Sequence, residues 1–272
     1  MKTVIASGSF NNIRSSDIRF LEEAAKVGPI TILLWSDDAY QQIKGRKPEF
    51  PQKERQYFLE SVRYVHKVIL VNGMVDPDEI PQVEGIKPDI WVVPESEDTF
   101  SKRHFCGSNG IEYLIVKEKN LAGFPILPIK NDLETSRKKV LVTGCYDWFH
   151  SGHVRFFEET SELGDLYVVV GSDENVRFLK GEGHPLLSED ERRYMVQSIR
   201  FVKLALISTG NGWMDAEPEI EQIKPDFYVV NEDGDVPEKR EFCQEHGIAY
   251  VVLKRVPKAG LTARQSTDLR GF

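Results

Sequence analysis

The chain repeats itself, and that limits what it can fold into more than any other feature. Pro48 to Val65 (PEFPQKERQYFLESVRYV) aligns without gaps on Pro185 to Val202 (PLLSEDERRYMVQSIRFV). Seven of the 18 positions are identical: Pro48, Glu54, Arg55, Tyr57, Ser61, Arg63 and Val65. The same offset of 137 residues carries IKPDIWVV (Ile86 to Val93) onto IKPDFYVV (Ile223 to Val230). It also carries Lys102-Arg103-His104-Phe105-Cys106 onto Lys239-Arg240-Glu241-Phe242-Cys243, and Gly110-Ile111 onto Gly247-Ile248. One register held this long means a single structural plan built twice. The copies are residues 1–123 and 138–272, with 124–137 as a linker containing Pro and charged residues. Two copies in one chain can form an internal pseudo-dimer, and a homodimer is a further arrangement open to them.

Each copy reads as alternating strands and helices. In the second, Lys139 to Thr143 is a short β-branched run, Val154 to Leu163 has helical spacing, and Leu166 to Val170 is a continuous apolar strand. Glu189 to Phe201 reads as a helix with Ser188 as its N-cap, and Val202 to Ile207, Phe227 to Val230 and Ala249 to Leu253 as strands. Uniformly apolar strands between helices imply a mainly parallel sheet covered on both faces. The expected fold is therefore α/β, with two tandem Rossmann-like domains. In such sheets ligands sit at the carboxyl ends of the strands, near the switch in strand order.

Charge and cysteines restrict the partners. A formal net charge of −8 disfavours a general nucleic-acid or anionic-membrane surface, which leaves small molecules as the expected ligands. The apolar run near the N-terminus stops at Gly8, too short for a signal-peptide core or a membrane span, and reads as the first strand. Three cysteines, Cys106, Cys145 and Cys243, have no CxxC spacing, which fits a reducing compartment and a cytoplasmic location.

The expected crevice begins where the first strand of the second copy ends. There the chain reads Gly144-Cys145-Tyr146-Asp147-Trp148-Phe149-His150-Ser151-Gly152-His153 and then enters a helix. Gly152 permits close backbone approach, a helix N-terminus offers free N–H groups to an anion, and two histidines three residues apart lie on the entering turn. Both histidines can change charge near neutral pH. Arg192 and Arg200 are eight residues apart on one predicted helix, slightly over two turns, and can share a face. Both recur in the first copy as Arg55 and Arg63, so part of their role is architectural; Arg192 is the better ligand candidate.

These motifs together resemble the cytidylyltransferase-like family of HxGH nucleotidyltransferases. That family includes glycerol-3-phosphate and phosphoethanolamine cytidylyltransferases and the adenylyltransferase part of ADP-heptose synthase. Gly144 to His153 resembles its G-x-F-D-x-x-H-x-G-H, and Leu179-Lys180-Gly181 its lysine loop. Glu191-Arg192 with Ile199-Arg200-Phe201-Val202 resembles its arginine helix, and Ser266-Thr267 its C-terminal hydroxyl signature. The resemblance covers the whole second copy. It departs at Asp268, where another hydroxyl residue is usual, and at Lys203, where an acid is usual.

The resemblance implies a transferase that joins a nucleoside monophosphate from CTP to a small phosphorylated alcohol or sugar and releases pyrophosphate. ATP with a sugar phosphate is the alternative. Implied catalytic residues are His150, His153, Lys180 and Arg192; implied nucleotide-binding residues are Gly144, Tyr146, Asp147, Gly152, Arg200, Ser266 and Thr267; Asp233 and Arg264 are candidates for the acceptor. Mg²⁺ would be carried by the triphosphate, with no dedicated protein metal site. From another class, the chain could be a nucleotide-binding regulator or scaffold with decayed sites. At the equivalent place the first copy reads Gly8-Ser9-Phe10-Asn11-Asn12-Ile13-Arg14-Ser15-Ser16-Asp17. Arg14 and Asp17 replace the histidines there, and an Asp repels a triphosphate, so that copy is expected not to catalyse the transfer.

Overall fold

The computed structural model describes residues 2–73, 75–126 and 135–269, with Thr267 and Asp268 described by their backbone alone. The chain forms two compact units, residues 1–123 and 124–272. The first unit runs β1 (Val4–Gly8), α1 (Ser15–Ala25), β2 (Ile30–Trp35), α2 (Asp37–Lys44), α3 (Gln52–Ser61), β3 (Val65–Val71), β4 (Ile90–Pro94), α4 (Phe100–Asn109), β5 (Glu112–Val116) and α5 (Glu118–Leu121). The second runs β6 (Lys139–Gly144), α6 (Ser151–Leu163), β7 (Asp165–Val170), α7 (Asp173–Lys180), α8 (Glu189–Gln197), β8 (Val202–Ile207), α9 (Glu217–Ile223), β9 (Phe227–Asn231), α10 (Pro237–Glu245) and β10 (Ala249–Leu253).

Each unit is a five-stranded sheet with helices on its faces. The orders are β3-β2-β1-β4-β5 and β8-β7-β6-β9-β10, the same plan in both, and every pairing is parallel. Parallel pairing explains the strand composition. Both faces of each sheet are covered, so β2 is buried at all six positions and β7 at five of six. Leu141, Tyr167, Leu204, Ile220, Tyr228 and Cys243 fill one core cluster of the second unit; Ile5, Leu33, Trp91, Val93 and Cys106 are among its counterpart in the first. The Rossmann-like α/β architecture read from the sequence is present twice.

Strand order fixes where a ligand can enter. β6 pairs with β7 on one side and β9 on the other, so the chain reverses its winding at β6 and a crevice opens at the carboxyl ends of β6 and β9. The helix expected over 189–201 stops at Gln197, with the Ser198 hydroxyl bonded to the Met195 carbonyl, and the chain then turns directly into β8. Ser188 does cap α8, accepting from the Glu191 N–H. Both described ends of the expected linker are attached to the second unit. Phe124 packs on Tyr194 with ring centroids 5.7 Å apart, and Thr135 and Arg137 bond to Asp165.

The turn between α6 and β7 allows no side chain. A Cβ on Gly164 would lie 2.1 Å from the Lys138 carbonyl oxygen, which itself accepts the Asp165 N–H at 2.8 Å. Gly164→Ala must therefore push the start of β6 away from β7. We expect a loss of roughly 2–4 kcal/mol in urea denaturation; an unchanged midpoint would contradict this packing.

Candidate active site

The loop after β6 is shaped by its own side chains. Tyr146 takes a left-handed backbone (φ 55) that folds its ring back over Gly144, where a Cβ would lie 2.8 Å from the ring. Asp147 is buried, and its Oδ1 accepts the Leu186 and Leu187 N–H groups at 2.8 and 3.0 Å. Arg192 is fully buried. Its Nε donates to the Leu187 carbonyl, Nη1 to the Cys145 carbonyl at 2.7 Å, and Nη2 to Asp173 at 2.7 Å. Three loops at the carboxyl edge of the sheet are thereby tied to one guanidinium.

The first unit builds the same loop without the histidines. Phe10 has φ 44, Asn11 Oδ1 accepts the Glu49 and Phe50 N–H groups, and Arg55 donates to the Phe50, Ser9 and Trp35 carbonyls and to Asp37. Arg192 and Asp147 thus do in the second unit what Arg55 and Asn11 do in the first. This corrects the expectation that Arg192 faces the ligand: it holds the loop that carries the histidines. Asp147 has the same architectural place, and an uncharged Asn suffices for it.

The histidines begin α6. His150 is its N-cap, and its Nδ1 accepts the Gly152 N–H at 3.0 Å, while the His150 N–H points to His153 Nδ1 at 3.3 Å. Each Nδ1 faces a backbone donor, so each neutral ring must carry its proton on Nε2. The rings stack with centroids 4.0 Å apart, and His153 stacks on Phe149 at 5.3 Å. Gly152 is required here, because a Cβ would lie 2.8 Å from the His150 ring. His150 is buried, and its Nε2 has no hydrogen-bond partner among the described residues. Burial, with the charges of Arg255 and Arg264, pushes its pKa down to about 3. Burial first, then His150, Arg255 and Lys180, holds His153 well below the usual value. Titration near neutral pH, expected from the residue type, is not what these surroundings favour. Both rings rest as neutral Nε2–H donors.

Two adjoining cavities meet at this turn. One, of about 170 Å³, is lined by Gly144, Tyr146, His153, Asp233, Lys239 and Arg255 among others. The other, of about 260 Å³, lies between α6 and the segment 254–265 and is lined by Arg155, Lys254, Arg255, Lys258 and Arg264. Arg255, which none of the sequence motifs singles out, is common to both; it pairs with Asp233 and donates to the Arg264 carbonyl at 3.0 Å. Its signal was the run of basic residues from Lys254 to Arg264. Ser266 donates to the Trp148 carbonyl at 3.2 Å, tying the C-terminal segment to the histidine loop. The Thr267 side chain lies outside the described residues. Lys180 is the exposed last residue of α7 rather than a loop residue.

Arg200 is not brought to this site. It is exposed in the turn just before β8, at the amino edge of a parallel sheet whose carboxyl edge holds the histidines. The six residues of β8 separate the two edges by roughly 20 Å. Eight-residue spacing made a shared helical face conceivable, but the helix ends before Arg200.

In the first unit, the N-cap position holds Arg14, whose N–H donates to Asp17 Oδ2 at 2.7 Å. Burial pushes the Asp17 carboxyl up to about 6. A cavity of about 220 Å³ persists there, lined by Gly8, Phe10, Asn11, Asp17 and Glu97. It offers a phosphate acids in place of imidazole donors.

A family model described as cytidylyltransferase-like matches residues 141–258. An FAD synthase of Aciduliprofundum boonei is 37% identical over 136 residues, 49% of this chain and 84% of that protein. The chain belongs to the cytidylyltransferase-like family. An FAD synthase of Ferroglobus placidus is 37% identical over 120 residues, 43% of this chain and 75% of that protein. The bifunctional protein HldE of Desulfatibacillum aliphaticivorans is 36% identical over 108 residues, 38% of this chain and 22% of that protein. These matches place the chain among nucleotidyltransferase-like proteins. Among the described residues, no helix is long and apolar enough to cross a membrane.

Two predictions follow from the geometry. Arg55→Ala and Arg192→Ala each remove a buried guanidinium and leave backbone carbonyls and a half-exposed carboxylate without their donor, so urea denaturation should show a loss of about 3 kcal/mol in either unit. Wild-type stability in Arg192→Ala, with turnover alone lost, would return that residue to the ligand set. For His150, the unfolded ring binds a proton below pH about 6.5 and the folded ring only near 3. Stability must therefore fall as pH drops through that window. His150→Asn, which keeps a capping side chain but does not titrate, should flatten that slope; an unchanged slope would contradict the neutral ring.

Proposed function

We propose that the second unit transfers a nucleotidyl group from MgATP to a small phosphorylated acceptor. An acceptor phosphate oxygen attacks the α-phosphorus, the bond to the β-phosphate breaks, and pyrophosphate leaves. The observation that carries this reading is the pair of neutral imidazoles on the first turn of α6, both with Nε2 protonated, beside cavities lined by Arg255, Lys239 and Lys254. The reaction needs donors where negative charge builds up, not a protein nucleophile. His150 and His153 supply such donors without changing charge. Arg255, Arg264 and Lys180 supply the field that draws in the triphosphate, and the free N–H groups of α6 add to it. Lys180 and Asp233 stay in the proposed set, Asp233 through its pairing with Arg255.

Mg²⁺ enters as part of the substrate. No group of three or more His, Cys, Asp or Glu side chains is arranged to hold a metal among the described residues, and a triphosphate supplies its own oxygen ligands. Sequence alone ranked CTP first. The two relatives named FAD synthase support ATP instead, because FAD carries an adenylate joined to a phosphorylated flavin. CTP remains the second reading, favoured by the family description.

Pyrophosphate release from ATP and CTP, each paired with flavin, sugar and alcohol phosphates, tests the reading. Turnover with ATP and at least one acceptor is expected. Nucleotide binding without release in any pair would favour the regulator. His150→Asn keeps the helix cap and removes the Nε2–H donor, so turnover should fall about 100-fold or more with the melting temperature nearly unchanged. Turnover within threefold of the parent would remove His150 from the chemistry.

A further inference from the structure

Tyr146 carries a hydroxyl to which none of the described residues bonds. The residue is 6% exposed, and its hydroxyl is buried with no hydrogen-bond partner among the described residues. It lies in the wall of the 170 Å³ cavity, together with Gly144, His153 and Asp233. Its ring is held on three sides: edge-on to His153 at 5.3 Å, edge-on to Phe157 at 5.4 Å, and against Gly144. A buried hydroxyl without a partner is costly, and a ring packed this tightly cannot swing it out to solvent.

The hydroxyl is not needed to build the loop. Phe10 occupies the same place in the first unit with the same left-handed backbone and no hydroxyl, and Asn11 and Arg55 anchor its loop as Asp147 and Arg192 anchor the other. The motif that this segment resembles also has Phe at that position. Nearby hydroxyls show what satisfaction looks like here: Thr143 and Tyr228 bond to each other at 2.8 Å on the neighbouring strands. Burial also pushes the Tyr146 phenol far above its usual pKa, so it stays protonated and able to donate.

We infer that the Tyr146 hydroxyl is a binding group whose partner is the ligand: it donates a hydrogen bond to an acceptor atom of the nucleotide seated in this cavity. The inference rests on the proposed nucleotide site and adds a contact that the first unit cannot make. It separates the two properties a structural tyrosine would keep together. Removing an orphaned hydroxyl relieves the free protein, while removing a ligand's partner weakens the complex. Tyr146→Phe keeps the ring and the packing and deletes only the oxygen.

Calorimetric titration of the full chain with MgATP and with MgCTP, without acceptor, measures this directly. Tyr146→Phe should bind the preferred nucleotide about fivefold more weakly, the size of one lost hydrogen bond. The melting temperature of the free protein should stay level or rise by roughly 2–4 °C. Inorganic triphosphate locates the contact: an equal loss puts it on the phosphates, and an undiminished affinity puts it on the nucleoside. Equal nucleotide affinity in the two proteins would overturn the inference, and so would a lower melting temperature in the variant. Nucleotide binding to neither protein would instead overturn the proposed function, so the two failures are distinguishable.

Discussion

The guanidinium of Arg192 is the constraint on which the site of the second unit depends. It has no exposed surface, and it joins the loop after β6, the segment before α8 and the first turn of α7 through the Cys145 carbonyl, the Leu187 carbonyl and Asp173. A parallel sheet fixes only the ends of its strands; the loops above it must be fixed by something else. Planar, always charged and able to donate in several directions, arginine suits that task. Asp147 adds a second brace from the other side by accepting the Leu186 and Leu187 N–H groups. With both braces in place, the chain enters α6 at one angle, and the first turn presents its two imidazoles in a stack.

Electrostatics then sets the resting state of the pair. Burial and the cations around the rings keep protons off them, and the backbone N–H groups facing each Nδ1 choose the tautomer. The same cations that hold the histidines neutral attract an anion. In the proposed reaction a triphosphate reverses the sign of the field at the rings, so the two Nε2–H donors strengthen as negative charge accumulates. Neutral donors within a cationic frame suit a step in which charge moves between phosphate oxygens and no covalent enzyme intermediate forms.

Much of this was legible in the sequence because the repeat supplies an internal comparison. The order of elements, the parallel sheets and the strand–turn–helix setting of His150 and His153 all follow from apolar patterning and register. Residue roles were harder to read, for identifiable reasons. Arg192 looked like a ligand because charged residues near a motif usually reach solvent, and only burial reveals that its donors are taken. The retained Arg55, in a copy without histidines, was the available clue. Arg200 failed for a different reason: an eight-residue spacing implies one helical face only while the helix lasts, and α8 ends at Gln197. The neutral state of the histidines comes from burial first, and then from Arg255 beside both rings and Arg264 beside His150, distant in the chain, which no local pattern brings together.

The central claim is that His150 and His153 rest as neutral Nε2–H donors fixed by the first turn of α6. Nitrogen-15 NMR of the histidine-labelled protein at pH 6, where an unperturbed imidazole is substantially protonated, tests it most directly. The account predicts two neutral rings with Nε2 protonated, and Nε2 signals that move when MgATP is added. Two imidazolium rings at that pH, or neutral rings with the proton on Nδ1, would contradict it.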